Sequence, residues 1–338
     1  MSTPLSKLCP SCSTANLQRA NFSQSPFAPE DKYGSLVLSG TLNHLRSNTA
    51  CPLCRLILHA LSQNEGPVLE EQDDATEWEV TWLQNNDDYE PETDEGEMIC
   101  GSGLYPRLKA DNSYIEHCIQ LIDEASTCEV LRGRVIPPSI RAEMIVGWMD
   151  RCKELHGEDC KAFYLKIAPH PAATMEFLVL DVEEESLVTM PSAARYVALS
   201  YVWGHANHLT TVKAVVSEFR REGAFRRSKP PRTIRDGMDL TRALGLRYLW
   251  VDALCIVQDE METKELLISN MDAVYGHAEL TIVAASGTDA DAGLPGWKTS
   301  PPERALVTES LGSGFTLGVL PFFDAAIMNS PHAKRAWT

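Results

Sequence analysis

The chain has 338 residues, 44% hydrophobic and 23% charged, a composition that fits one large or two ordinary folded domains and not a disordered chain. Thirty Lys and Arg against 47 Asp and Glu leave a net charge of −17, which disfavours a nucleic-acid partner because phosphate is repelled. The start, MSTPLSKLCPSC, has no basic segment followed by an apolar core, and no apolar run reaches the roughly 20 residues of a membrane span. The expectation is a soluble cytoplasmic protein with no membrane span.

Ten cysteines in a reducing compartment point to metal or catalysis rather than to a disulfide scaffold. Four come as two close pairs, Cys9-Pro-Ser-Cys12 and Cys51-Pro-Leu-Cys54. Zinc takes four soft ligands in a tetrahedron, and each Cys-x-x-Cys supplies two from one tight turn. Cys9, Cys12, Cys51 and Cys54 are therefore the expected ligands of a structural zinc, stabilising a region with little core of its own. Ordinary reduced thiols, or His44 in place of one cysteine, are the alternatives. The spacing of Leu53, Leu56, Ile57, Ala60 and Leu61 predicts a helix over Pro52–Leu61. Residues 1–66 read as a mostly helical zinc-binding region.

Residues 67–194 read as a link. No Lys or Arg occurs between Arg55 and Arg107, and Asp and Glu crowd the stretch from Glu70 to Glu97. That stretch reads as a solvated acidic loop interrupted by a strand at Trp78–Leu83. Helical spacing follows at Tyr114–Ala125 and Ile140–Leu155, then a strand pair around Glu176–Val182 and Ser186–Met190. Cys152, His156 and Cys160 fall on successive turns if the second helix continues, which leaves open a metal site or core thiols with a capping histidine.

From Arg195 the pattern changes. Tyr196–Val202 is a β-type run, Val212–Arg221 is helical, and a helix starts near Thr233, read as N-cap with Asp236 three residues on. A short buried strand, Tyr248–Val251, ends at Asp252; a helix over Glu262–Tyr275 leads to a strand at Leu280–Ala284. Strand alternating with helix predicts an α/β parallel sheet flanked by helices, with ligands at the carboxyl ends of the strands. The segments after the strands begin at Ser200, Asp252 and Ser286. Neither a glycine-rich dinucleotide fingerprint nor a phosphate loop is present.

The blocks Tyr196-Val-Ala-Leu-Ser-Tyr-Val-Trp-Gly204, Thr233-Ile-Arg-Asp-Gly…Leu-Gly-Leu-Arg-Tyr-Leu-Trp-Val-Asp-Ala-Leu-Cys-Ile-Val-Gln-Asp259 and Met271…Tyr275…Ala278-Glu-Leu-Thr-Ile-Val-Ala-Ala285 resemble the heterokaryon incompatibility (HET) domain of filamentous fungi. The resemblance covers residues 195–338, and the cysteine pairs look like the region that often precedes this domain. It implies intracellular non-self recognition leading to programmed cell death, with a protein partner and self-association. It also implies a fold similar to the Toll/interleukin-receptor (TIR) domain, a flavodoxin-like parallel sheet. Through that analogy it extends to NAD as substrate, cleaved at the nicotinamide–ribose bond. A non-catalytic signalling module that recruits partners is the alternative. Two departures stand out. The family pattern Arg-x-Trp-Thr-x-Gln-Glu breaks off at Arg335-Ala336-Trp337-Thr338, so the domain is expected to be C-terminally incomplete and weakly active or inactive. Leu267 stands where the family usually carries a glutamate, with Glu265 the nearest substitute.

Cleaving a glycosyl bond needs a carboxylate to stabilise an oxocarbenium-like transition state, and Asp252, Asp259 and Glu265 are the candidates. Ser200, Tyr201, Trp203, Gly204 and Asp252 are the expected cofactor-binding residues. Trp203 suits stacking on nicotinamide or adenine, or else closes the core; Asp252 suits ribose hydroxyls, or else caps a helix. Cys255 lies in an apolar run and reads as a buried structural thiol, although His205 or His208 could activate it.

Overall fold

In a computed structural model of the chain, the described residues are 8–22, 35–66, 68–83, 99–100, 103–109, 117–122, 130–131, 139–157, 177–191, 194–204, 209–298, 306–312, 314–321 and 330–334. The elements run α1 (Pro10–Ser13), β1 (Leu36–Thr41), α2 (Leu42–Ser47), α3 (Pro52–Glu65), α4 (Val68–Glu71), β2 (Glu77–Leu83), β3 (Ile99–Cys100), β4 (Gly103–Leu108), β5 (His117–Ile122), β6 (Val130–Leu131), α5 (Ala142–His156), β7 (Leu178–Asp181), β8 (Ser186–Thr189) and β9 (Tyr196–Ser200). Then come α6 (Lys213–Phe219), α7 (Ala224–Ser228), α8 (Arg232–Ala243), β10 (Tyr248–Val251), α9 (Asp252–Cys255), α10 (Met261–Ser269), α11 (Met271–Gly276), β11 (Leu280–Val283), β12 (Thr308–Gly312) and β13 (Phe315–Pro321). The chain forms two compact units, Met1–Pro137 with Glu303–Ala326, and Pro138–Pro302 with Ile327–Thr338.

The first unit is built on a six-stranded antiparallel sheet in the order β1-β2-β4-β5-β13-β12. Helix α3 lays Leu53, Leu56, Ile57, Ala60 and Leu61 into a core with Trp78, Leu104, Ile119 and Leu317. Burial of such side chains is worth about 1.5–3 kcal/mol each before entropy is counted. The expected mostly helical N-terminal region is corrected in one respect: its helices do not form a layer of their own but belong to a unit dominated by antiparallel sheet, whose strands other than β1 come from beyond residue 66. The helix predicted over Tyr114–Ala125 is corrected too, since His117–Ile122 is strand β5, paired along β13 from Thr316↔Ile122 to Pro321↔His117.

Between β4 and β5 the ladder is reduced to Leu104↔Ile119, because Pro106 has no N–H to donate. Asn64, in the last turn of α3, fills the gap. Its amide Nδ2 donates to the carbonyls of Pro106 (3.4 Å) and His117 (3.3 Å), and its Oδ1 accepts from the His117 N–H (2.8 Å).

The second unit holds a five-stranded sheet in the order β11-β9-β10-β7-β8. Strands β11, β9 and β10 are parallel, as the alternation of strand and helix predicts. The hairpin β7–β8 runs antiparallel against β10, so the sheet is mixed, and the expected TIR-like, flavodoxin-like parallel sheet is corrected. The hairpin has a local cause. Asp181, buried at the end of β7, accepts the N–H groups of Glu183 (3.0 Å) and Glu184 (3.1 Å) and an Arg247 Nε bond (2.8 Å), which fixes the turn beside β10. All five residues of β9 are buried, and the core around it includes Leu199, Leu249, Trp250 and Ile234.

Two helices differ from expectation. Helix α8 starts at Arg232 after Pro231, and Thr233 is buried in its first turn, where the hydroxyl accepts from Gly293 N (3.0 Å) instead of capping. The helix expected over Glu262–Tyr275 is two, parted at Asn270. No helix among the described residues is long and apolar enough to cross a membrane.

Replacing Asn64 by Ala removes three hydrogen bonds from a seam that has no ladder to replace them. Chemical denaturation of Asn64→Ala is expected to show a loss of about 1–3 kcal/mol with an unchanged m-value.

Candidate functional site

Two places carry chemistry, one in each unit. In the first unit, Cys9 precedes α1 and accepts the Cys12 N–H (3.5 Å), with Pro10 at the first helical position, where its missing N–H costs nothing. Pro52 plays the same part in α3, so each Cys-Pro-x-Cys enters a helix and turns its second cysteine back toward the first. Helix α2 brings in His44.

The sulfur and nitrogen atoms converge. Cys9 Sγ lies 3.7 Å from Cys54 Sγ and 3.5 Å from His44 Nε2; Cys12 Sγ lies 3.5 Å from Cys54 Sγ; Cys54 Sγ lies 3.8 Å from His44 Nε2. All four ligand atoms fall within 4.8 Å of one another. A tetrahedral zinc with Zn–S of about 2.3 Å and Zn–N of about 2.0 Å spaces its ligands about 3.8 Å (S···S) and about 3.5 Å (S···N) apart. The four donors fit that ion. The Asn48 amide, 3.5 Å from His44 Nδ1, leaves Nε2 as the ring nitrogen that faces the sulfurs.

Of the four predicted ligands, Cys9, Cys12 and Cys54 are brought together and His44 takes the fourth corner. Cys51 is buried outside that group, its sulfur accepting the Cys9 N–H at 3.4 Å. The Cys54 thiol is pulled down to about 6, first by its hydrogen bond with Cys12, against burial and aided by Cys51, Cys9 and the charge of His44. Cys12 is pushed up by that same hydrogen bond, by burial and by the charge of Cys54. Four protein donors leave no open position, so an ion here would be structural.

In the second unit, β10 and β11 flank β9, reached by connections that part in opposite directions. Ligand crevices form outside the carboxyl ends of strands at such a point. Ser200, Tyr201 and Trp203 follow β9. Trp203 Nε1 donates to both carboxylate oxygens of Asp252 (3.1 and 3.0 Å), and the Ala253 N–H adds a bond of 2.7 Å. Asp252 and Trp203 are both partly exposed. Tyr201 is buried beside them, its hydroxyl pushed up by burial first and by the Asp252 charge second. Gly204 has φ +73°, and a Cβ there would stand 2.5 Å from Asp289 Cβ, so only glycine allows this approach.

The other predicted residues lie apart from this pairing. Asp259 accepts the Lys213 N–H (2.8 Å) and so caps α6, and Glu265 is exposed on α10. Leu267, the departure from the family glutamate, is packed in the core at 1% exposure. Cys255 is buried, its thiol pushed up to about 12 by burial, which leaves no reactive thiolate. Cys152 is exposed on α5, so it is not a core thiol. The side chain of His156, and Cys160, His205 and His208, lie outside the described residues. One partner was not anticipated: His332 Nε2 sits 2.8 Å from Ser200 Oγ, both groups buried.

Residues 196–338 match the family model described as heterokaryon incompatibility protein (HET). The chain carries a HET domain at residues 196–338. No curated protein and no solved structure matches it. The Trp203–Asp252 pairing, Gly204, Asp259 and the Ser200–His332 contact all fall inside the HET match, and the metal-ligating cluster lies before it.

The cluster is expected to take up one zinc per chain, read by metal analysis after dialysis. Cys51→Ser should keep the ion, whereas His44→Ala and Cys54→Ser should release it at chelator concentrations that the parent chain withstands. Because protons compete for the thiolates and the imidazole, affinity should fall as pH is lowered and recover as it is raised.

Proposed function

We propose that the chain acts in non-self recognition of the heterokaryon incompatibility type as a signalling module, meeting a protein partner and self-associating to bring about programmed cell death. The family match supports the recognition role. The observation that favours a non-catalytic module is the state of the carboxylates. Asp252 is held by the Trp203 indole and the Ala253 N–H, and Asp259 is held by the Lys213 N–H. Both serve the local fold. The analogy that led to NAD rested on a flavodoxin-like sheet, and the mixed sheet withdraws that support.

NAD cleavage stays as the second reading because of one feature. Asp252 is a partly exposed carboxylate fixed beside an indole at the carboxyl end of β10, next to Trp203 after β9. An indole that stacks on nicotinamide and a carboxylate that faces the developing oxocarbenium charge are what that reaction asks of a site.

Nicotinamide release from NAD by the purified, zinc-supplemented chain at high protein concentration separates the two. The signalling reading expects no release above the buffer rate, and a death response in a filamentous fungus that Asp252→Asn leaves intact, since asparagine still accepts from Trp203. Release that falls by about 10²-fold or more in Asp252→Asn would decide for catalysis.

A further inference from the structure

A chain with a net charge of −17 carries one concentrated basic stretch. Between residues 220 and 235 stand seven Lys and Arg (Arg220, Arg221, Arg226, Arg227, Lys229, Arg232 and Arg235) against the single acid Glu222. Several of these cations serve the fold: Arg226 pairs with Glu185 (3.0 Å) and Arg232 with Asp236 (3.7 Å). Lys229 and Arg235 do not. Both are exposed, and neither has a carboxylate partner among the described residues.

These two cations line one open groove of about 370 Å³, together with Pro230, Pro231, Leu209 and the Asp291 carboxylate. Its frame is rigid. Two prolines form part of the wall, and Arg235 Nε donates to the Pro230 carbonyl (2.9 Å), which anchors the guanidinium while its Nη groups stay available. Asp291, the one acid in the lining, accepts the Arg232 N–H (3.1 Å) at the start of α8, and Ala290 accepts the Thr233 N–H (2.9 Å). The first N–H groups of the helix are thus taken, and the positive charge of the groove comes from Lys229 and Arg235. A guanidinium fork and an ammonium that line the same groove match the oxygens of a phosphate better than a single carboxylate.

We propose that the groove at Lys229 and Arg235 binds the phosphate or diphosphate of a soluble small molecule such as a nucleotide. Its volume accommodates that group with part of the attached sugar, and the acidic chain around it opposes an extended polyanion. The groove does not depend on whether Asp252 performs chemistry, and binding at it is measurable without any reaction.

The test is calorimetric titration of the full chain with ADP, inorganic pyrophosphate and adenosine at low salt. Saturable binding of ADP and pyrophosphate, with adenosine bound far more weakly, is the expected result. The double variant Lys229→Asn/Arg235→Gln should weaken ADP by about tenfold or more, while Arg221→Gln/Arg227→Gln, the same loss of two charges off the groove, leaves it unchanged. Asparagine is chosen because Lys229 has φ +50°, a conformation asparagine tolerates. If circular dichroism shows the double variant unfolded, the parent chain decides alone: ADP affinity that ignores added salt would overturn the proposal. So would the absence of ADP and pyrophosphate binding, adenosine bound as tightly as ADP, an undiminished affinity in a folded double variant, or binding confined to vesicles that carry phosphoinositides.

Discussion

Backbone groups at the carboxyl edge of a parallel sheet lose their ladder partners, and a buried one left unpaired costs about 1–3 kcal/mol. In the second unit the chain from Ala284 to Leu294 meets that constraint. Ala284 N–H bonds to the Ser200 carbonyl and Ala290 N–H to that of Trp203. The Ala290 carbonyl then receives the Thr233 N–H, Thr233 Oγ1 receives Gly293 N–H, and Asp236 receives Leu294 N–H (2.9 Å). One loop thereby ties β9 to the start of α8. Because Trp203 is held by its own carbonyl as well as by its indole, the same bonds decide where Asp252 finds a donor. They also set Asp291 at the wall of the basic groove. Strand edge, indole and groove are consequences of one satisfied backbone.

The first unit solves a different problem. Among the described residues, its N-terminal stretch up to Glu65 supplies one long helix and a single strand of the sheet, so its early segments lack a layer of their own to lie against. The cysteine and histidine cluster joins α1 and the residue before it, helix α2 and the first turn of α3, pieces that Leu17, Phe22, Leu42, Leu45 and Leu53 also hold in the shared core. A metal there would replace missing core by coordination, which is how small regions compensate for little burial.

What the sequence made legible follows from how local each signal is. The parallel strands β9 and β10 were readable because buried strands are short unbroken apolar runs, and β11 because its β-branched run follows a helical segment. Strand β5 was not. Cys118, Ile119, Leu121 and Ile122 are buried at a spacing that one helical face also produces, and its partner β13 lies almost 200 residues away. The capping pattern at Thr233 and Asp236 was real chemistry aimed elsewhere, at Gly293 and Leu294. In the metal cluster the spacing pointed to both cysteine pairs, but nothing local distinguishes Cys51 from His44. That choice is made by how α2 packs. His332 had no signal at all, since its partner Ser200 is 132 residues distant and no motif joins them.

The sheet of the first unit also fixes an order of events during synthesis. Strand β5 needs β13, and the intervening residues Pro138–Pro302 belong to the other unit. While the ribosome is still translating that insertion, β1, β2, β4 and β5 exist with one side of the sheet open, because the strand that covers β5 has not been made. Chain closure over so long a separation is slow and leaves an exposed strand edge in the interval. The inserted unit, whose strands pair within residues 178–283, has all of its sheet before β13 emerges. The sheet of the second unit can therefore pair before the sheet of the first has its last two strands.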